Sequence, residues 1–123
     1  MFGFFKKAAY RANCTAIIQD FVLQEIAIEK QQCVEFVEDY KVFFDKCNEN
    51  GMEPGGAVMF VTQQLIQHIA DDSHHQLRSF NNCKYTEVIC LIVAKLALSV
   101  MDNKEDKQKL NKAIKAVEKK INS

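Results

Sequence analysis

The chain has 123 residues, the size of one ordinary domain, and its 48% hydrophobic and 26% charged content is globular, which excludes a disordered or collagenous polymer. Sixteen basic and sixteen acidic residues cancel, so no molecule-wide field draws nucleic acid or an anionic membrane. One proline and four glycines are too few turn formers for a many-stranded β-fold, so long helices are predicted.

The first residues, "FGFFKKAAYR", mix Phe2, Phe4, Phe5 and Tyr10 with Lys6, Lys7 and Arg11. Bulky residues precede the charges and no apolar core segment follows them, which does not suit a secretory signal. Residues 1–14 read as an N-terminal arm or short helix whose aromatic residues dock on a surface. Phe4 and Phe5 are interface candidates, preferred over contact with a membrane surface.

Thr15 to Cys47 contains no Gly or Pro. At about 100° per residue, Ile18, Val22, Ile26, Cys33, Phe36, Val37, Tyr40, Phe43, Phe44 and Cys47 share one sector. The pattern predicts one helix of about 33 residues, near 50 Å at about 1.5 Å per residue. Such a helix is about three times the usual length, so a kink or break near Lys30–Gln32 is left open. Glu25 and Glu29 intrude on the apolar sector one turn apart. They mark a helix end or break, or a carboxylate pair facing a ligand or partner.

"NENGMEPGG" at 48–56 is a boundary. Asn50 or Gly51 supplies the left-handed residue that stops a helix, and Pro54 suits the first turn of the next. The adjacent glycines lack the spacing of a phosphate-binding loop. A second helix follows from Ala57 to Asp72, burying Val58, Met59, Val61, Leu65, Ile66 and Ile69. "DDSHHQLRSFNN" reads as a connection. "KYTEVICLIVAKLALSVM", from Lys84 to Met101, is apolar nearly all round except for a mixed stripe of Glu87, Leu91, Lys95 and Ser99. Such a helix is central to its domain or half of an interface, which makes Leu91 and Lys95 interface candidates. Thr86 is its cap candidate, and "DNKED" offers Asp102 or Asp106 as the cap of the last helix. That helix runs to Ile121 with a thin stripe of Leu110, Ile114, Val117 and Ile121, a seam for another helix or for a copy of itself. Together these elements predict an all-α small helical bundle with one long N-terminal helix, about four to six helices in a single domain over 1–123.

All three histidines fall in "HIADDSHHQL". His68, Asp72 and His75 stand at i, i+4 and i+7, so a continued helix lines them on one flank of its buried face. His and Asp there suit a divalent metal or a small ligand. Glu25 and Glu29 are the carboxylates that would complete such a site. The competing reading is a solvated helix end, where the dipole favours histidine. Glu35-x-x-Glu38 has no later E-x-x-D to complete a magnesium site. The lysine-rich last helix lacks the arginines and aromatics of a nucleic-acid surface.

Five cysteines, none in C-x-x-C spacing, sit mostly in apolar patterns. They read as free thiols in a reducing cytoplasm, with Cys83 beside Lys84 the one thiol in a loop. The longest apolar run, Val88–Ala94, is far short of the roughly 20 residues that span a bilayer. The surplus of apolar faces leads to a non-enzymatic interaction or regulatory module acting as a homodimer, with no cofactor and no nucleic-acid partner. The alternative is a metal- or ligand-binding bundle with a pocket near His68, Asp72 and His75.

Overall fold

The computed structural model describes residues 2–71 and 84–121, with side chains over 5–71 and 85–120. Among these residues there are six helices and no strand: α1 Phe2–Val22, α2 Lys30–Asp39, α3 Lys41–Glu49, α4 Pro54–Asp71, α5 Lys84–Val100 and α6 Lys104–Ile121. The protein is an all-α small helical bundle. Among the described residues no helix is long and apolar enough to cross a membrane. The chain forms two compact units, Met1–Val61 and Thr62–Ser123, with the boundary inside α4.

In the first unit the expected long helix is three segments, and residues 2–14, expected as an arm or short helix, belong to α1. The apolar pattern is right, and of the two readings of its continuity the break holds, over 23–29 just before Lys30, with a second at Tyr40. Ile18, Val22, Cys33, Phe36, Val37, Phe44 and Cys47 are all buried, but α1 packs against both α2 and α3. A straight rod cannot bring those residues together. The reversal is made at Leu23–Ile28, where Glu25 N–H and Ile26 N–H both donate to the Val22 carbonyl at 3.0 Å. Glu29, with φ −80 and ψ 145, then starts α2, and Gln32 Oε1 accepts the Glu29 N–H at 3.0 Å. This is the returning arm of a capping box built on Glu29 in place of the usual Ser or Thr. Gln19 Nε2 donates to the Lys30 carbonyl at 3.4 Å and ties the end of α1 to the start of α2.

The second break is a single residue. Tyr40 leaves helical values, at φ −110 and ψ 23, and forms an elbow between α2 and α3. Arg11 spans it. Its Nε donates to Asp45 Oδ1 at 3.0 Å on α3, and its Nη1 lies 3.8 Å from Glu38 Oε2 on α2. α3 ends as the sequence predicts. Gly51 is left-handed at φ 78, Met52 N–H donates to the Cys47 carbonyl and Gly51 N–H to the Asn48 carbonyl, both at 3.0 Å. That pair of bonds is a Schellman terminator. The buried Tyr10 hydroxyl of α1 donates to the Met52 carbonyl at 2.7 Å, so the terminator is fastened to α1.

In the second unit α5 pairs with α6. Ala94, Ala97 and Ala113 are buried along with Ile89, Val93, Leu110, Ile114 and Val117. Small residues on paired helices permit close approach of their backbones. Lys95 Nζ meets Glu118 Oε2 at 3.1 Å across the pair, and Lys120 Nζ donates to the Ile69 carbonyl at 2.6 Å in the last turn of α4. The latter satisfies a helix-end carbonyl that has no partner within its own helix. Two cap assignments are corrected. Thr86 is buried inside α5, which starts at Lys84. Asn103, rather than Asp102 or Asp106, caps α6 by accepting the Asp106 N–H on Oδ1 at 3.0 Å.

Two glycines separate conformational freedom from space. A Cβ at either Gly51 or Gly55 would meet nothing within 4 Å, yet only Gly51 has a positive φ. Gly51→Ala is expected to lower unfolding free energy by about 1 kcal/mol, and Gly55→Ala, in the first turn of α4, to raise it by about 0.5 kcal/mol. Urea unfolding of the two variants checks this; equal effects of the same sign would contradict the left-handed terminator.

Candidate functional site

The elbow carries three of the exposed large apolar side chains of the described surface, Val34, Val42 and Phe43. Phe44 and Phe36 are buried, with ring centroids 6.5 Å apart in an edge-on arrangement. Phe36 meets Tyr40 at 5.2 Å, and Tyr40 meets Phe43 at 6.2 Å. Both separations fall within the range of favourable aromatic pairs. The row starts in the core and ends outside it, because Phe43 is 53% exposed. Val42 beside it is 69% exposed, and Val34 on α2 is also exposed. A continuous helix would have placed Phe43 in its apolar sector. On α3 the buried positions are Phe44 and Cys47, and Phe43 falls on their flank.

Around these apolar groups the surface is charged, with exposed Lys30, Lys41 and Lys46 beside the acids. Glu35, Glu38 and Asp39 on α2 are all exposed. Glu38 is engaged by Lys41 Nζ at 3.2 Å as well as by Arg11. Exposed apolar side chains thus share the two elbow helices with exposed charged ones.

The other candidates fall elsewhere. Glu25 lies in the turn after α1 and Glu29 is the first cap of α2, both exposed, so they are not neighbours on one helix face. His68 is exposed in the last turn of α4, where Gln67 Nε2 donates to Asp71 Oδ1 at 3.0 Å. Asp72 and His75 lie outside the described residues, as does the connection that holds them, so the geometry of the trio does too. Among the described residues no three His, Cys, Asp or Glu side chains converge on a metal-sized site.

Four of the interface candidates are corrected. Leu91, Leu110, Ile114 and Val117 are buried within this chain and present no seam to a partner. The thin stripe of α6 is thin because α5 covers it. Lys95 is exposed and bonded to Glu118. Phe5 is 66% exposed on α1, and the side chains of Phe4 and Ile121 lie outside those described. Val42 and Val34 were missed. Their exposure was legible, because both sit well off the apolar sector of 15–47.

The thiols are core groups. Cys14, Cys33, Cys47 and Cys90 are free and buried. Burial pushes Cys14 up to about 12, with Cys47 adding to the rise. Burial likewise raises Cys33, Cys47 and Cys90, with Glu87 adding to the rise at Cys90. Protonated, enclosed thiols are poor nucleophiles at neutral pH. Cys83 lies outside the described residues.

Comparison with known proteins finds no counterpart: no family model, no curated protein and no solved structure matches this chain.

The buried acids set a pH dependence. Tyr10 is pushed up to about 12, first by burial and then by Cys14 and Cys47. In the unfolded chain thiols ionise near about 8.5 and tyrosine near about 10. Groups with raised folded values stabilise fully below the unfolded values and lose that contribution as pH rises. Through these groups unfolding free energy is therefore expected to fall from about pH 8.5 towards about pH 12. Urea titrations across that range check it, and Cys14→Ala combined with Tyr10→Phe should make the fall shallower, with Cys33, Cys47 and Cys90 carrying the remainder. A stability that rises above pH 9 would contradict it.

Proposed function

We propose that this chain is a non-enzymatic helical interaction module that works as a homodimer, with the α2–α3 elbow in its contact surface. The observation that carries the reading is the exposure of Val42 and Phe43, 69% and 53%, at the end of an aromatic row rooted in the core. A side chain held in place by its neighbours loses little entropy when a partner covers it. Burying each of these two groups contributes about 1–2 kcal/mol. The reading extends to a reducing compartment such as the cytoplasm, where the four buried cysteines keep their thiols.

Sedimentation velocity tests the reading. The wild-type chain is expected to sediment with twice the chain mass at about 0.1 mM. Val42→Glu with Phe43→Glu is expected to give single chains of unchanged helix content by circular dichroism. A wild-type monomer at that concentration overturns the homodimer. A dimer that persists in the double variant moves the contact away from the elbow.

A further inference from the structure

α5 is turned against its own pattern. Glu87 and Leu91 are buried, at 3% and 8% exposure, while Tyr85, Leu96 and Val100 are exposed at 38%, 37% and 66%. Val88 and Ile92 are half-buried. At about 100° per residue these five apolar side chains share an arc of about 120°. Ile89 is the one buried residue of that arc and Ser99 its one polar residue, with Lys95 at the edge. Neither polar group calls for a counter-charge. Lys95 Nζ is bonded to Glu118 Oε2 at 3.1 Å, and Ser99 Oγ donates to the Leu96 carbonyl at 2.6 Å. Within the arc, Val88, Ile92, Leu96 and Val100 recur at every fourth residue, the row that forms a ridge on a helix surface.

A stable pair covers about 800 Å² on each partner, more than half of it apolar. The elbow offers Val34, Val42 and Phe43, each already partly covered. Even an aromatic side chain buried whole covers only about 150–250 Å², so a homodimer needs further apolar surface. Among the described side chains, Phe5 and Phe60 are the only exposed large apolar groups of α1 and α4, and α6 turns Lys112, Lys115 and Lys119 outward. Of the long described helices only α5 presents an outward apolar row. Because the flank of that row is neutralised within the chain, the surface that fits it is another apolar ridge, and a second copy brings one. Two such ridges interdigitate at a crossing of about −50°, the commonest packing of helices. About a twofold axis the same ridge serves both chains, and the contact requires no element but α5. Resting on the homodimer reading above, we infer that the outer ridge of α5 belongs to the contact surface and crosses the same ridge of the second copy.

Substitution and cross-linking on α5 test it. Leu96→Glu with Val100→Glu is expected to give single chains by light scattering at about 0.1 mM, with wild-type circular dichroism. Val100→Glu alone, at a side chain already largely in water, is expected to weaken the dimer about tenfold or more and decides the point if the double variant fails to fold. A twofold crossing sets Leu96 near its own copy. Leu96→Cys with Cys83→Ser is therefore expected to give a covalent dimer with a short bismaleimide, and Lys112→Cys with Cys83→Ser to give none. If both glutamate variants keep wild-type affinity, the α5 contact is overturned; a dimer then lost on Val42→Glu with Phe43→Glu leaves the elbow reading standing. A dimeric Leu96→Cys chain that does not cross-link, or equal yields from Leu96→Cys and Lys112→Cys, overturns the crossing of α5 on its copy. A wild-type chain that is monomeric overturns the homodimer and this inference with it.

Discussion

A straight helix cannot cover its own apolar stripe. That constraint shapes residues 2–52. Cys14, Ile18 and Val22 on α1 leave no surface to water, and Cys33, Phe36, Val37, Phe44 and Cys47 carry the same stripe onward. Burying either half takes a partner of matching pattern, and the nearest one is the other half of the same chain. The turn after Val22 supplies the reversal, and the Tyr40 elbow divides the returning segment into two short helices that both reach α1. Adjacent residues of α1 hold the result. Arg11 grips the carboxylates on either side of the elbow, and Tyr10 holds the terminator of α3 through the Met52 carbonyl.

The elbow has a consequence at the surface. Helical phase is kept well enough for Phe44 and Cys47 to stay inside, while Phe43 turns to the flank and Val42 faces out. The aromatic contacts from Phe44 through Phe36 and Tyr40 to Phe43 hold the outer ring. Pre-ordered apolar surface with a charged margin is costly for an isolated chain and useful to one that has a partner. The same logic applies to α6. Its apolar stripe is spent on α5, so what it offers outward is charge.

The all-helical class was legible because breakers are scarce and the 3.6-residue pattern is strong. Most of the core could be read from that pattern alone. The first helix break was legible only as the open alternative near Lys30–Gln32 that Glu25 and Glu29 mark, and the second not at all, for two physical reasons. The reversal at 23–29 uses no Gly or Pro, and its cap is Glu29 with Gln32, which the Ser/Thr form of the capping-box pattern does not include. The elbow is one off-helical residue, Tyr40, in a sequence with good helix formers on both sides. By contrast Gly51 is explicit, since only a residue at ease with positive φ closes α3 that way. Of the candidate interface residues, Leu91, Leu110, Ile114 and Val117 are buried within the chain, because a seam between helices looks the same whether its partner is the same chain or another. The exposed elbow was legible only in Val42 and Val34, apolar residues off the stripe.

Hydrogen–deuterium exchange as a function of protein concentration tests the account most directly. It reads the surface residue by residue, and each of the two chains in a pair reports on its own contact. If a second copy covers the elbow, amides from Tyr40 to Lys46 exchange more slowly as concentration rises, and those facing the buried side of α1 do not change. Exchange over Tyr40–Lys46 that is identical at every concentration would contradict it.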